Sequence, residues 1–162
     1  MQCYIACYIE EEEQVTRAIH PVAGALALLT ILTFWGATAL SEAFGSTAAI
    51  TAVKTWIPWG FIMLVPALMA AGGSGLALSK VRRGRLVDAK RRRMPFIAAN
   101  GILVLIPSAL FLAFKARAGE LDAAFYAVQA IELAAGAANI VLIGLNMRDG
   151  LRMKGRLRRR TA

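Results

Sequence analysis

Between two long apolar runs lies the stretch Lys80 to Arg93, KVRRGRLVDAKRRR, with eight Lys or Arg residues and a single acid, Asp88. A block this basic crosses a bilayer only at high cost, and membranes keep Lys/Arg-rich segments on the cytoplasmic side. The flanking runs reach the ~20 apolar residues that a helix needs to span about 30 Å of hydrocarbon. The block therefore fixes the direction of every neighbouring segment. Charge falls between the apolar runs, whereas a soluble amphipathic helix carries it every turn or two. With 58% of its residues hydrophobic, the chain is also too apolar for an ordinary soluble domain of its size.

Four spans are expected, at about 21–40, 55–78, 95–114 and 123–147. Together they form a transmembrane domain over 20–147, with a leader over 1–19, a basic loop over 79–94 and a basic tail over 148–162. Pro21 and Pro95 suit first turns of helices. Pro58, Pro66 and Pro107 predict kinks. Sixteen of the 19 Lys and Arg fall in the loop, the tail and Arg17, and only Lys54, Lys115 and Arg117 fall at the other end. This asymmetry predicts an all-α integral membrane protein: a four-transmembrane-helix bundle of N-in/C-in topology, multi-pass in the inner (plasma) membrane with both termini cytoplasmic. Trp35, Trp56 and Trp59 then fall in the outer half, as an aromatic belt requires. Lys54 is expected near the outer interface.

The leader places Cys3 and Cys7 on one helical face, with no further metal ligand nearby. Glu10 to Glu13 stand where a cleavable signal sequence would carry its apolar core, so none is expected.

On the fourth span Gln129, Glu132, Gly136, Asn139, Ile143 and Asn146 recur at steps of three and four, which sets them on one face. Lipid penalises polar groups, so this stripe should face the bundle interior, with Asn100 and Ser108 of the third span and Thr30 and Thr33 of the first as partners. An ionised Glu132 at this depth is expensive unless a cation pairs with it, and Lys54 is the candidate cation. Small residues on the same helix (Ala134, Gly136, Ala138, Gly144) favour close approach to another helix.

His20, the only histidine, is expected at the cytoplasmic surface together with Met94 and Met147. His and Met can serve as axial ligands of a b-type haem, with Arg91, Arg92, Arg93 and Arg148 on its propionates or on anionic lipid headgroups. No nucleophile–base pair, zinc spacing or phosphate-binding loop appears, and the GGSG stretch at 72–75 lacks the Lys-Ser/Thr of a phosphate loop. The expected role is thus a non-enzymatic accessory or interaction subunit that contacts anionic headgroups and assembles as a homo-oligomer or within a membrane complex. The alternatives are a haem-binding electron carrier using His20 and a small proton-coupled transporter using Glu132. Nucleic-acid contact is not expected, because topology already accounts for the basic clusters.

Overall fold

The computed structural model describes residues 2–81 and 85–160, with side chains described at 15, 18–78, 86–152 and 155. The side chains of Cys3, Cys7 and Arg17 lie outside the described residues. Every regular element among the described residues is helical: α1 (Gln2–Phe44), α2 (Thr47–Val81), α3 (Arg85–Asn100), α4 (Ile106–Arg117) and α5 (Ala123–Arg160). A π-helical turn over Gly101–Leu105 joins α3 to α4, so the two form one rod. Four rods are long and apolar enough to cross a membrane, and at most 22% of the most apolar window of each is buried within the chain. The remainder turns Leu29, Trp56, Ile62, Met69 and Leu103 outward, a surface that suits hydrocarbon rather than water.

The rods outrun the apolar runs at both ends. Residues 85–94, expected in the basic loop, are helical because Leu, Ala, Lys and Arg are good helix formers and Asp88 sits favourably in the first turn of α3. Pro95 is therefore interior to α3, and Pro21 is interior to α1. Ser41 and Glu42 do not break α1, which continues to Phe44. Pro107 is preceded by the π turn, in which the Ile106 N–H donates to the Gly101 carbonyl. That widening accommodates a ring that would otherwise press on the carbonyl four residues back.

The connections follow from local chemistry. Ser46 caps α2 by accepting from the Ala49 N–H at 3.3 Å. Gly119, at φ +73°, ends α4 with paired bonds from its own N–H to the Ala116 carbonyl and from the Glu120 N–H to the Lys115 carbonyl. Asp122 caps α5, its Oδ1 accepting from the Phe125 N–H at 2.9 Å and its Oδ2 from Lys115 Nζ at 2.7 Å. The Lys115 ammonium, and next the Phe125 N–H, hold the Asp122 carboxyl below its ordinary value. Its contribution is present above the ordinary carboxylate range and lost as pH falls through the lowered value. Asp122→Ala is expected to lower the thermal midpoint in detergent at neutral pH, while Asp122→Asn, which can still cap, retains most of it.

Packing closes the rods into a ring. α1 lies against α2 and α5, α2 against α4, and the α3–α4 rod against α5. One core cluster joins Ala27, Ile31, Leu64 and Ala67, with Phe34 and Phe61 packed on it. A second joins Ile50, Leu112, Ala116 and Phe125 at the end away from the basic stretch. Toward the basic end α2 and α3 barely touch, and that divergence opens the site described next.

Candidate functional site

At the basic end the diverging rods enclose a cavity of about 330 Å³, walled by α1, α2, α3 and α5. The walls owe their volume to small residues, among them Gly24, Ala25 and Ala27 on α1 and Ala71, Gly72 and Gly75 on α2. The GGSG stretch is thus neither a loop nor a phosphate cradle; it runs helically along the cavity wall. Gly75 has a further task. A β-carbon there would meet Met94 Cε at 2.6 Å and His20 Cε1 at 3.0 Å, so its bare α-carbon lets those two side chains crowd against α2.

His20 is half-buried and anchored on both sides. Lys90 Nζ lies 2.9 Å from its Nε2. An ammonium has only protons to give, so Nε2 accepts and Nδ1 carries the ring proton. Nδ1 then donates to the Ala71 carbonyl at 3.0 Å, with Ser74 Oγ at the same distance. Lys90 and Arg91 both line the cavity, and among the described residues no carboxylate comes within 4 Å of either. Met94 and Met147 line it as well, so the three residues expected as haem ligands share one cavity. Arg93 turns instead to Asp149 at 2.8 Å and Asn146 at 3.5 Å. Arg148 is exposed, with its Nε 3.7 Å from Asp149, and Arg92 is exposed. Of the four arginines expected on an anionic group, Arg91 is the one on the cavity wall.

The polar stripe of α5 faces inward along its length. Gln129, Asn139 and Asn146 are buried. Asn100 donates to Asn139 Oδ1 at 3.0 Å and to the Ala135 carbonyl at 2.9 Å, while Asn139 donates back to the Ile97 carbonyl at 3.4 Å. Thr30 and Thr33 take no part, because each hydroxyl donates to the carbonyl four residues back in its own helix. Gly136 receives the Trp35 ring, whose Nε1 donates to the Leu133 carbonyl at 2.9 Å. Ala134 and Ala138 are exposed, and nothing lies within 4 Å of the point where Gly144 would carry a β-carbon.

A second polar centre lies toward the opposite end. Lys54 is 1% exposed, its side chain enclosed by the bundle. Its Nζ donates to Glu132 Oε2 at 2.5 Å and to Thr38 Oγ1 at 3.4 Å, and Gln129 Nε2 donates to the same Glu132 oxygen at 3.3 Å. Glu132 and Thr38 also border a small cavity of about 70 Å³.

No family model, no curated protein and no solved structure matches this chain. The site must therefore be read from its own chemistry. Among the described residues no cluster of His, Cys, Asp and Glu is arranged to hold a metal ion.

Lys90, Ser74 and Thr38 belong to these two centres, and Asp149 holds Arg93 nearby, yet sequence patterning does not single them out. Asp149 had a usable signal, since the step of three from Asn146 lands on it. Lys90 had none, being one cation among the eight of its block.

Proposed function

We propose that the chain is a non-enzymatic accessory protein of the inner membrane that holds an anionic lipid in the cavity at its basic end. Its termini and basic stretch face the cytoplasm. The observation that carries this reading is the pairing of an apolar, small-residue cavity of about 330 Å³ with Lys90 and Arg91, neither of which has a carboxylate within 4 Å among the described residues, Asp149 acting on Lys90 only from farther off. Binding pockets for small molecules combine largely apolar walls with a few placed polar groups, and run to roughly 300–1,000 Å³. Acyl chain fills the apolar part, and the phosphate rests on Lys90 and Arg91. Each cation near a membrane surface adds about 1 kcal/mol of attraction to anionic lipid.

The test is native mass spectrometry of the full chain from mild detergent, with phosphatidylglycerol and phosphatidylcholine offered in competition. Phosphatidylglycerol should be retained in preference, and Lys90→Gln with Arg91→Gln should weaken its retention at least tenfold. Equal retention of the two lipids, or an unaffected double variant, would refute the reading. Reporter fusions at residue 88 and at the C-terminus should both report a cytoplasmic location.

A second reading is favoured by one observation: His20, Met94 and Met147 line the same cavity. A b-type haem is itself an amphipathic anion, and Arg91 is placed to meet a propionate. To bind iron through Nε2, His20 must first give up Lys90. A Soret band in protein produced with ample haem, lost in His20→Ala, distinguishes this reading from lipid binding.

A further inference from the structure

The polar centre around Lys54 takes no part in the cavity chemistry, and its hydrogen bonds do not balance. Glu42 Oε1 and Gln129 Oε1 are both buried without a hydrogen-bond partner. Gln129 is only 3% exposed, and its amide is already committed through Nε2 to Glu132, so its idle oxygen belongs to the same cluster. Glu42 stands one turn beyond Thr38 on the same face of α1, and Thr38 accepts from Lys54, so the Glu42 carboxyl lies beside the Lys54–Glu132 pair. The centre therefore holds two carboxylates against one ammonium, with two buried acceptor oxygens left unpartnered. In an apolar interior an uncompensated charge costs several kcal/mol, and so does a buried acceptor left without a proton.

The charged groups on the other packed elements do not correct the balance. On α4, Lys115 is committed to Glu120 and Asp122, and Arg117 reaches the Thr55 carbonyl at 3.4 Å. On α1 the neighbouring polar groups are neutral: Thr38 accepts from Lys54, and Ser41 donates to the Thr38 carbonyl at 3.0 Å. On α5, Gln129 is neutral. The small cavity bordered by Glu132 and Thr38, about 70 Å³, has room for water, since one water needs roughly 10–15 Å³ on that measure.

We propose that Glu42, Lys54 and Glu132 form a proton-binding site that holds one exchangeable proton on Glu42. When the proton is bound, Lys54 pairs with Glu132 alone, the cluster is neutral, and the Glu42 hydroxyl supplies the missing donor. Release breaks one O–H bond and passes the proton to water. Lys54, which has three N–H groups and gives two to Glu132 and Thr38, then shares its charge between both carboxylates. Among the described residues the other carboxylates do not compete for this role, and Asp88 is exposed. Asp149 is paired with Arg93, and Glu120 and Asp122 are exposed and paired with Lys115.

The test is infrared spectroscopy of the full chain in nanodiscs, reading the carbonyl stretch of protonated carboxylic acid at neutral pH. Wild type should show one such group, exchanging with deuterium and lost on raising pH. Glu42→Gln and Glu132→Gln should each abolish the band, because either leaves one carboxylate opposite one ammonium. Lys54→Met should double it. A wild-type spectrum without the band would overturn the proposal, and so would a band that survives in both glutamine variants. Loss of the band at constant pH when sodium is added would also overturn it, by assigning the site to a cation. Glu42→Gln removes no ion pair present in the protein, so a folded sample is expected even where Lys54→Met fails.

Discussion

Lys54→Met is expected to destabilise the folded chain by about 3–5 kcal/mol, read as a shift in the midpoint of denaturant unfolding in detergent. Lys54 is 1% exposed and Glu132 12% exposed, so both charges are largely withdrawn from bulk water. Removing the ammonium leaves the Glu132 carboxylate with one donor, the Gln129 amide at 3.3 Å. The cost of such a change comes from the stranded carboxylate, which takes up a proton at neutral pH only at a free-energy cost, and not from the lost attraction. The double variant Lys54→Met with Glu132→Leu should therefore recover most of the loss, since replacing a buried pair by apolar side chains is often neutral or stabilising. The single variant should also recover part of its stability as pH is lowered, because the proton that its Glu132 takes up then costs less. A loss below about 1 kcal/mol would mean that the pair is screened as a surface pair is, and that water reaches the centre.

Much of this arrangement follows from patterning that requires no coordinates. The length and purity of the apolar runs demand four crossing rods, and the three-and-four spacing from Gln129 to Asn146 turns those side chains inward. Both properties are local: each depends on helical geometry and on the cost of polar groups in hydrocarbon. The pairing of Lys54 with Glu132 also follows from charge alone, since no other cation on the apolar runs is available to a carboxylate at that depth. What patterning misses is decided by neighbours. Thr30 and Thr33 have the chemistry to join the stripe, yet their own helix supplies an acceptor for each hydroxyl. Glu42 reads as the end of a run because its charge interrupts the apolar residues, while the helix continues past it and buries Oε1. The cavity is the least legible feature, because it arises from the divergence of α2 and α3. Small residues on α1 and α2 are necessary for it, but the same residues elsewhere, as Gly136 shows against Trp35, close a gap instead of leaving one.

The two polar centres draw on different turns of one helix. α5 contributes Glu132 to the centre around Lys54, and Asn146 and Met147 to the cavity. Between them the Asn100–Asn139 exchange fixes α5 against the third rod. Hydrogen bonds of this kind in membranes are worth about 0.6 kcal/mol each, so their effect is on register more than on stability. A shift of α5 along its axis would have to break them, which ties the position of the carboxylate to the shape of the cavity.

Gly60→Ala is expected to destabilise the chain, although replacing glycine by alanine inside a helix ordinarily gains up to about 1 kcal/mol. A β-carbon at residue 60 would run into the Phe34 ring, with Cζ nearest and Cε1 at 2.8 Å. The ring borders the small cavity of about 70 Å³ on one side, but its other contacts hold it in place. It meets Phe61 edge-on at a centroid distance of 6.4 Å and packs on the cluster of Ala27, Ile31, Leu64 and Ala67. Forcing extra volume into such packing costs about 1–3 kcal/mol, which exceeds the gain in helix propensity. Gly36→Ala is the control, since nothing lies within 4 Å of the β-carbon it would add, and it should be neutral or slightly stabilising. Phe34→Leu tests the cause. Alone it should destabilise by vacating part of the core, but in the Gly60→Ala background its cost should shrink or reverse, with a coupling of about 0.5–3 kcal/mol between the two sites. Additive effects of the two substitutions would place the Phe34 ring away from Gly60, and the close approach of α1 to α2 would then need another explanation.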